Sequence, residues 1–445
     1  MSILCRYDYF VQSCRSIYTP SQNNLGSLSS LLYGKLFKIL QDKQKQTKGN
    51  DAMWRMILLV LTVAATVLSL NGPPAHAGVS SATPFLIAKP NYRWQFPQDQ
   101  GEHPDYANEW WYTTGHLSTP WQPFQAPHHF GYEATLFRLS RPTAVQSLTL
   151  RSSAWKPQQL YMVHVALSDL SGKHFYYSTA YERQNPFRNV VEVEPWRFMA
   201  KSLSLKERPH PKEALPRWDL SVRDTHFSLD LHLVPKKDKV FHGTSNGYSK
   251  KGSCASCASM YYSFTHISTT GHVTLKDPHA RLKDRVFQVT GNSWFDHEFG
   301  SSQLSKTQVG WDWFAIQLDD GQELMLYFMR EKNGGVSPQS GATWVSKTGQ
   351  VIRFTAKELE LKVLNRWKSA QSGVNYPSAW ELKVPALKLN LRVTPALAEQ
   401  ELYFSKQRAL SYWEGANLVT GTRGQTPVQG RAYVELAGYA ETLNF

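Results

Sequence analysis

The sequence predicts an all-β protein built from two related β-units in tandem, and three observations lead there. After residue 90 apolar and polar residues alternate with period two. Clusters of turn formers interrupt the alternation, and the same landmarks recur in the same order in both halves. "FSLDLHLV" (227–234) puts Phe227, Leu229, Leu231 and Leu233 on one face. "LKLNLRV" (387–393) does the same with Leu387, Leu389, Leu391 and Val393. "DDG" (319–321) and "NGG" (333–335) mark tight turns. Convincing amphipathic helices are scarce.

The repeat has four landmarks. "EWWYTTGHL" leading to "EATLFR" (133–138) parallels "DWFAIQL" leading to "MLYFMR" (325–330). "WDLSV" (218–222) and "WELKV" (380–384) each precede an alternating strand that ends at a proline, Pro235 or Pro395. "YYSF" (261–264) parallels "SYWEG" (411–415). "VTGNSWFD" (289–296) parallels "VQGRAYVE" (428–435), setting Asp296 against Glu435. Shared order argues for duplication, with units at 85–303 and 304–445, Trp111 expected to superpose on Trp313, and Asp296 on Glu435. Each half can close a sheet into a barrel of about eight strands holding one small ligand. A sandwich fits the same pattern.

The chain has 445 residues and 13% aromatic content, including 15 Trp and 21 Tyr, which suits sheets and ligand-lined cavities. Net charge is +14, of which residues 1–77 supply +5 (8 Lys/Arg against 3 Asp/Glu). No Lys/Arg block or nucleic-acid motif accompanies the charge, so it reads as a basic surface rather than a nucleic-acid site. Arg55, the apolar run "ILLVLTVAATVLSL" (57–70) and "AHA" ending at Ala77 compose a signal peptide over 53–77, with cleavage before Gly78. The apolar run is short for a membrane span. Residues 1–52 are then an upstream or disordered segment, Met53 a start, and the protein periplasmic or otherwise exported, with peripheral membrane association at most. Cys254 and Cys257 form "CASC" without the βαβ setting of a redox motif or a second ligand pair for zinc. An oxidising compartment would allow a local disulfide.

"GNSWFDHEFG" (291–300) poses the chemical question, since three ionisable groups among aromatics are costly to bury without partners. On a strand Trp294, Asp296 and Glu298 share one face, and Phe295, His297 and Phe299 the other. Asp312 falls beside Phe314, Ile316 and Leu318, an otherwise apolar face that would raise its pKa. The competing reading is a structural clasp, with Asp296 and Glu298 paired to Arg138 or Arg330. Glu133 shares a face with Thr135 and Phe137. His164 reads as a satisfied core histidine, and His128 and His129 lie in a Pro-rich loop with no third metal ligand spaced to join them.

The motifs "NEWWYTTGHL", "GYSKKG", "YYSFT", "GNSWFDHEFG", "GWDWFAIQLDDGQELMLY", "QEL" (400–402), "YWEGA" (412–416) and "YVELAGY" (433–439) resemble the carotenoid 1,2-hydratase family and its AttH-like relatives from about residue 90 to 445. The resemblance implies two lipocalin-like β-barrel domains. It also implies either hydration of a terminal isoprenoid double bond or, in the AttH-like branch, a role accessory to an ABC-type exporter. Hydration requires an acid still protonated near neutral pH, aromatic faces for a carbocation and a hydrophobic slot, with no metal or organic cofactor.

Two functions follow. The first is an exported protein that binds a hydrophobic lipid or isoprenoid, with an ABC-transporter permease as partner. The second is a cofactor-independent hydro-lyase. Sugar chemistry ranks third, because no spacing supports a glycosidase pair. Expected catalytic residues are Asp312, Asp296, His297 and Glu298. Expected ligand-binding residues are Trp111, Trp294, Trp311, Trp313, Tyr262 and Glu133. No metal site is expected.

Overall fold

A computed structural model describes residues 85–140, 159–185, 190–211, 215–244, 246–277, 283–302 and 304–443. The signal-peptide and upstream segments, Cys5, Cys14 and the cleavage site lie outside the described residues. The first thirteen strands are β1 (Asn108–Ser118), β2 (His129–Ser140), β3 (Gln159–Asp169), β4 (His174–Arg183), β5 (Val190–Val193), β6 (Trp196–Ala200), β7 (Leu203–Glu207), β8 (Trp218–Arg223), β9 (Phe227–Pro235), β10 (Val240–Phe241), β11 (Tyr248–Lys250), β12 (Ala258–Leu275) and β13 (Arg285–Ser302). The remaining ten are β14 (Gln308–Leu318), β15 (Glu323–Glu331), β16 (Gly341–Val345), β17 (Val351–Thr355), β18 (Glu360–Lys368), β19 (Asn375–Val384), β20 (Leu389–Pro395), β21 (Glu401–Leu402), β22 (Tyr412–Arg423) and β23 (Thr426–Ala437). Among the described residues, helix is confined to short 3₁₀ turns.

The strands form two antiparallel sheets. One runs β4-β3-β2-β1-β13-β12-β9-β8-β7-β6-β5, the other β17-β16-β15-β14-β23-β22-β20-β19-β18. The connectivity matches from β4 to β7 and from β17 to β18, with β1 equivalent to β14 and β13 to β23, and β6 and β5 extend the first sheet beyond the match. The duplication is therefore topological as well as sequential. Each sheet is one continuous ladder that curls around its own core as a half-barrel, which removes the sandwich alternative.

The ladders correct the register of the repeat. Tyr112 faces Thr135 on β2 and Asp296 on β13. Trp313 faces Tyr327 on β15 and Glu435 on β23. Asp296 and Glu435 are thus equivalent, as expected, but the counterpart of Trp313 is Tyr112, and Trp111 corresponds to Asp312. The expected superposition of Trp111 on Trp313 is off by one residue. In a strand one residue reverses the face, so Trp111 points into the first core while Trp313 points out of the second.

Alternation fills both interiors. Phe227, Leu229, Leu231 and Leu233 join Trp111, Trp196, Trp218 and Phe295 in the first core. Leu389, Leu391 and Val393 join Phe314, Trp380 and Trp413 in the second. These interiors are packed with side chains. Neither is a ligand chamber like the one the sequence suggested. From Ser293 to Gly300, β13 is buried on both faces. Its inner face lines the first core and its outer face meets the second unit, which is why "WFDHEF" carries large aromatic residues on both faces. Gly131 allows one close approach there, since a Cβ would stand 2.6 Å from that of Ala416.

Candidate active site between the two units

The outward faces of β1 and β13 pack against those of β14 and β23. Tyr112, Tyr261, Trp294, Trp313, Met325 and Tyr327 form a cluster distinct from either core. Hydrogen bonds cross the junction: Tyr112 donates to Glu414, Trp313 Nε1 donates to the Tyr261 hydroxyl (3.2 Å), and Gln317 Nε2 donates to the Ser293 carbonyl (2.9 Å). The two ladders arrange this face in rungs. The outermost holds His116 opposite Asn292 and Gln317 opposite Arg431; the next holds Thr114 opposite Trp294 and Ala315 opposite Tyr433. A small recess of about 10 Å³, room for about one water, is lined by both rungs. The following rung, Tyr112 opposite Asp296 and Trp313 opposite Glu435, forms the floor of the junction without lining the recess.

That floor is acidic, with Asp296 buried and Glu435 half-buried. Asp296 is buried and accepts hydrogen bonds from Trp294 Nε1 (2.6 Å), Tyr261 (2.8 Å) and Ser263. Burial pushes its carboxyl up to about 7, despite those three donors, and nearby Glu298 adds to the rise. Glu435 is lifted to about 7 by burial and by Glu298 and Asp296, with Trp311 donating to it. Glu133 rises to about 8 by burial, although Thr135 donates to it at 2.5 Å. Glu414, beside Glu435 on β22, is raised well above the carboxylate range by burial and by Glu133 and Glu435. Four carboxyls in one interface cannot all ionise. Protons are therefore shared within the group near neutral pH, with Trp and Tyr rings packed around it.

The sequence-predicted residues divide between this junction and the two cores. Asp296, Trp294, Trp311, Trp313 and Glu133 come together at the junction. Glu298 lies one rung beyond the floor, where Lys251 Nζ reaches it at 3.0 Å and Ser259 donates to it. Asp312 lies inside the second unit, in an ion pair with Arg330 (2.9 Å) and accepting from Tyr439 (3.0 Å). Burial raises its pKa as anticipated, but the arginine and tyrosine pull against the rise. His297 lies inside the first unit, 2.8 Å from Glu109, with Tyr262 beside it. Trp111 stacks on His297 and donates to the Gln100 carbonyl (3.1 Å). The anticipated clasp of Asp296 or Glu298 to Arg138 or Arg330 does not form. Arg138 pairs with Glu109 (2.6 Å) and Arg330 with Asp312, because both arginines point into the cores.

Sequence reasoning passed over Glu435 as a clasp and omitted Glu414, Tyr112 and Lys251. The first two lie in "YVELAGY" and "YWEGA", each an acid on the outward face of a strand whose other face is apolar. That pattern was the available signal. His164 is only half satisfied: Nδ1 meets the Tyr412 hydroxyl at 2.7 Å, Nε2 has no partner, and burial lowers it to about 3. Cys254 and Cys257 are joined in a disulfide. It closes the turn on which Lys251 sits, with the Lys251 N–H bonded to the Cys257 carbonyl (2.9 Å).

His103, Glu109 and His297 gather ligand-type atoms within 4.8 Å of one another. Glu109 is already shared by both imidazoles and the Arg138 guanidinium. Against the effect of burial, these cations hold Glu109 well below the usual range, and Glu109 with Asp99 holds His103 at about 9. A metal ion would have to displace a guanidinium and a protonated imidazole. This is an ion-pair network, not a metal centre.

Comparison with curated protein sequences gave no match. Among solved structures, an AttH protein from Nitrosomonas europaea is similar, with a TM-score of 0.67, 29% identity, and coverage of 80% of this chain and 99% of that one. Kievitone hydratase from Nectria haematococca shares the fold, with a TM-score of 0.56, 14% identity, and coverage of 80% and 98%. A family model described as AttH-like matches residues 87–439. The chain belongs to the AttH-like family.

Proposed function

We propose that the protein is a cofactor-independent hydro-lyase that adds water to a carbon–carbon double bond at the end of an apolar, isoprenoid-like chain. One observation supports this above others: Asp296 and Glu435, both pushed up to about 7, stand on the rung next to a small recess lined by Trp294 and Tyr433, so near neutral pH one can hold a proton while the other is a carboxylate. The recess, about 10 Å³, has room for about one water, so the end of an apolar chain enters only as the side chains around Trp294 and Tyr433 shift.

Glu435 has fewer donors than Asp296 and sits among other acids, so it is the proton donor. It transfers its proton to the less substituted =CH– carbon of the terminal double bond, leaving a tertiary carbocation on the carbon that bears the two methyl groups, beside the Trp and Tyr faces. Asp296, whose three donors suit a carboxylate, takes a proton from the water that attacks the cation. The C–O bond forms as that O–H bond breaks, and the extra proton on Asp296 returns through the coupled acids to Glu435.

A carrier serving an ABC-type exporter is the other reading. Retaining a lipid calls for a chamber the size of the ligand, which the small recess does not supply, whereas the group of acids with raised pKa supports catalysis. Export after cleavage near Ala77 remains part of the proposal, and amino-terminal sequencing of material from the cell envelope tests it. For the reaction, the full chain is incubated with terminally unsaturated isoprenoids in ¹⁸O-water. Label incorporated into a tertiary alcohol supports the reading. No incorporation by folded protein across the series, together with recovery of unchanged bound ligand, defeats it.

A further inference from the structure

The connection between β1 and β2, "TPWQPFQAPH" (119–128), carries Trp121 at 75% and Phe124 at 110% of full exposure. Large aromatics this bare are uncommon on a folded surface, and here the backbone works to keep them so. Phe124 has φ +67°, in the left-handed region that a bulky side chain avoids. It follows Pro123 in a turn closed by the Gln125 N–H on the Gln122 carbonyl (3.3 Å), where the third position ordinarily takes glycine. Pro120, Pro123 and Pro127 stiffen the loop. Its base is fastened by two Thr119–His128 hydrogen bonds of 2.9 Å and by His128 on Asp169 (2.6 Å). A strained, rigid and fully bare aromatic tip calls for a function.

We propose that this loop is a membrane-docking wedge that seats the protein on a lipid surface. Two aromatic side chains bury at most about 500 Å², whereas a stable protein interface takes about 800 Å² from each partner. A bilayer interface has no such threshold of shape, and it favours Trp and Phe. The loop also stands beside the recess. Ser118 and His129 pair at its base, and His116, which lines the recess, follows two residues down the same strand. An apolar chain leaving the lipid beside the wedge meets the outermost rung of the cleft. The docking itself does not depend on the reaction proposed above, since it is read without turnover.

Hydroxyl-radical footprinting of the full chain, with and without phosphatidylcholine vesicles, tests it loop by loop. Trp121 and Phe124 should lose about tenfold in labelling on vesicles, while exposed Val336 and Ile352 keep theirs. The double variant Trp121→Ser, Phe124→Gly should co-sediment with vesicles at least about tenfold less and melt no lower, because glycine relieves the strained turn. Equal labelling of Trp121 in the two conditions overturns the proposal, even if the chain reaches vesicles through another segment. So does protection that grows with protein concentration in the absence of lipid, which would make the tip a self-association contact.

Discussion

Asp296 and Glu435 hold the same position in the two repeats, one opposite Tyr112 and the other opposite Trp313, and the charge of Asp296 raises the pKa of Glu435 across the junction. A duplicated acid is usually read as repeated architecture. Here the two copies face each other, so one ancestral position supplies both members of a coupled pair. Such a pair titrates as a unit, and their surroundings, with three donors on Asp296 and acidic neighbours around Glu435, divide donor from acceptor.

Glu435→Gln should abolish the transferable proton while keeping shape, lowering turnover by roughly 10²–10⁴. Melting temperature should hold or rise, because one member of a crowded acid group becomes neutral. Asp296→Asn should lower turnover as well, and stability with it, since an amide accepts less well from Tyr261, Trp294 and Ser263. Calorimetry alongside the ¹⁸O assay separates the two. A fully active, folded Glu435→Gln protein would remove Glu435 from the mechanism.

The same acids predict how stability changes with pH. Their folded-state pKa values lie above the ordinary carboxylate value of about 4, so the native state holds protons that the unfolded state has released. Stability is therefore lost as pH rises through about 7 for Asp296 and Glu435 and about 8 for Glu133. Below about 6.5 the effect is opposed by His116 and His164, which burial keeps neutral down to about 4 and about 3. The clean window is pH 6.5 to 8. There the unfolding free energy should fall by on the order of 3 kcal/mol. His103, held at about 9, works in the same direction, so Glu133→Gln is needed to assign the slope and should remove about 1–2 kcal/mol of it. A flat denaturation profile across this window would contradict the buried-acid description.

Asp312 is a structural residue on this geometry. Asp312→Asn should leave turnover intact and cost about 1–3 kcal/mol in urea denaturation, since Arg330 loses its partner in a site that is mostly closed to water. Glu109→Gln should cost more, about 3–5 kcal/mol, because Arg138, His103 and His297 all converge on that carboxylate. A large loss of turnover in well-folded Asp312→Asn would bring it back as an acid.

The alternation in "FSLDLHLV" and "LKLNLRV" made the strands and the repeat legible, because the inner faces obey period two. The strand "GNSWFDHEFG" was legible as unusual but not as a junction, since burial on both faces depends on how the next sheet folds back, with Trp313 against Trp294 and Gln317 on Ser293. Asp312 illustrates the same blindness. Its strand face is as apolar as expected, but Arg330 reaches it from the neighbouring strand, two positions out of direct register. Acids shared between units, such as Glu414 and Glu435, show in a sequence only as outward residues on strands. There an exposed position and a buried interface look alike.

Lys251 offers the sharpest test of how the acid group is tuned. Its ammonium is buried, 3.0 Å from Glu298 and over the rings of Tyr261 (5.0 Å) and Tyr327 (4.5 Å), and its turn is closed by the Cys254–Cys257 disulfide. Its positive charge lowers the pKa of Glu435, while the negative charge of Glu298 raises it. Lys251→Met keeps the length and the ring contacts but removes the cation. Glu435 should then hold its proton to higher pH, moving the alkaline limb of the pH–rate profile up by about one unit. Reducing the disulfide in the unmodified protein should move the limb the same way and by less, because the turn loosens while the charge remains. Stability should drop by about 2–4 kcal/mol in Lys251→Met, since Glu298 is left buried without its partner. A Lys251→Met protein whose alkaline limb stays in place would show that Lys251 fastens Glu298 and has no bearing on Glu435.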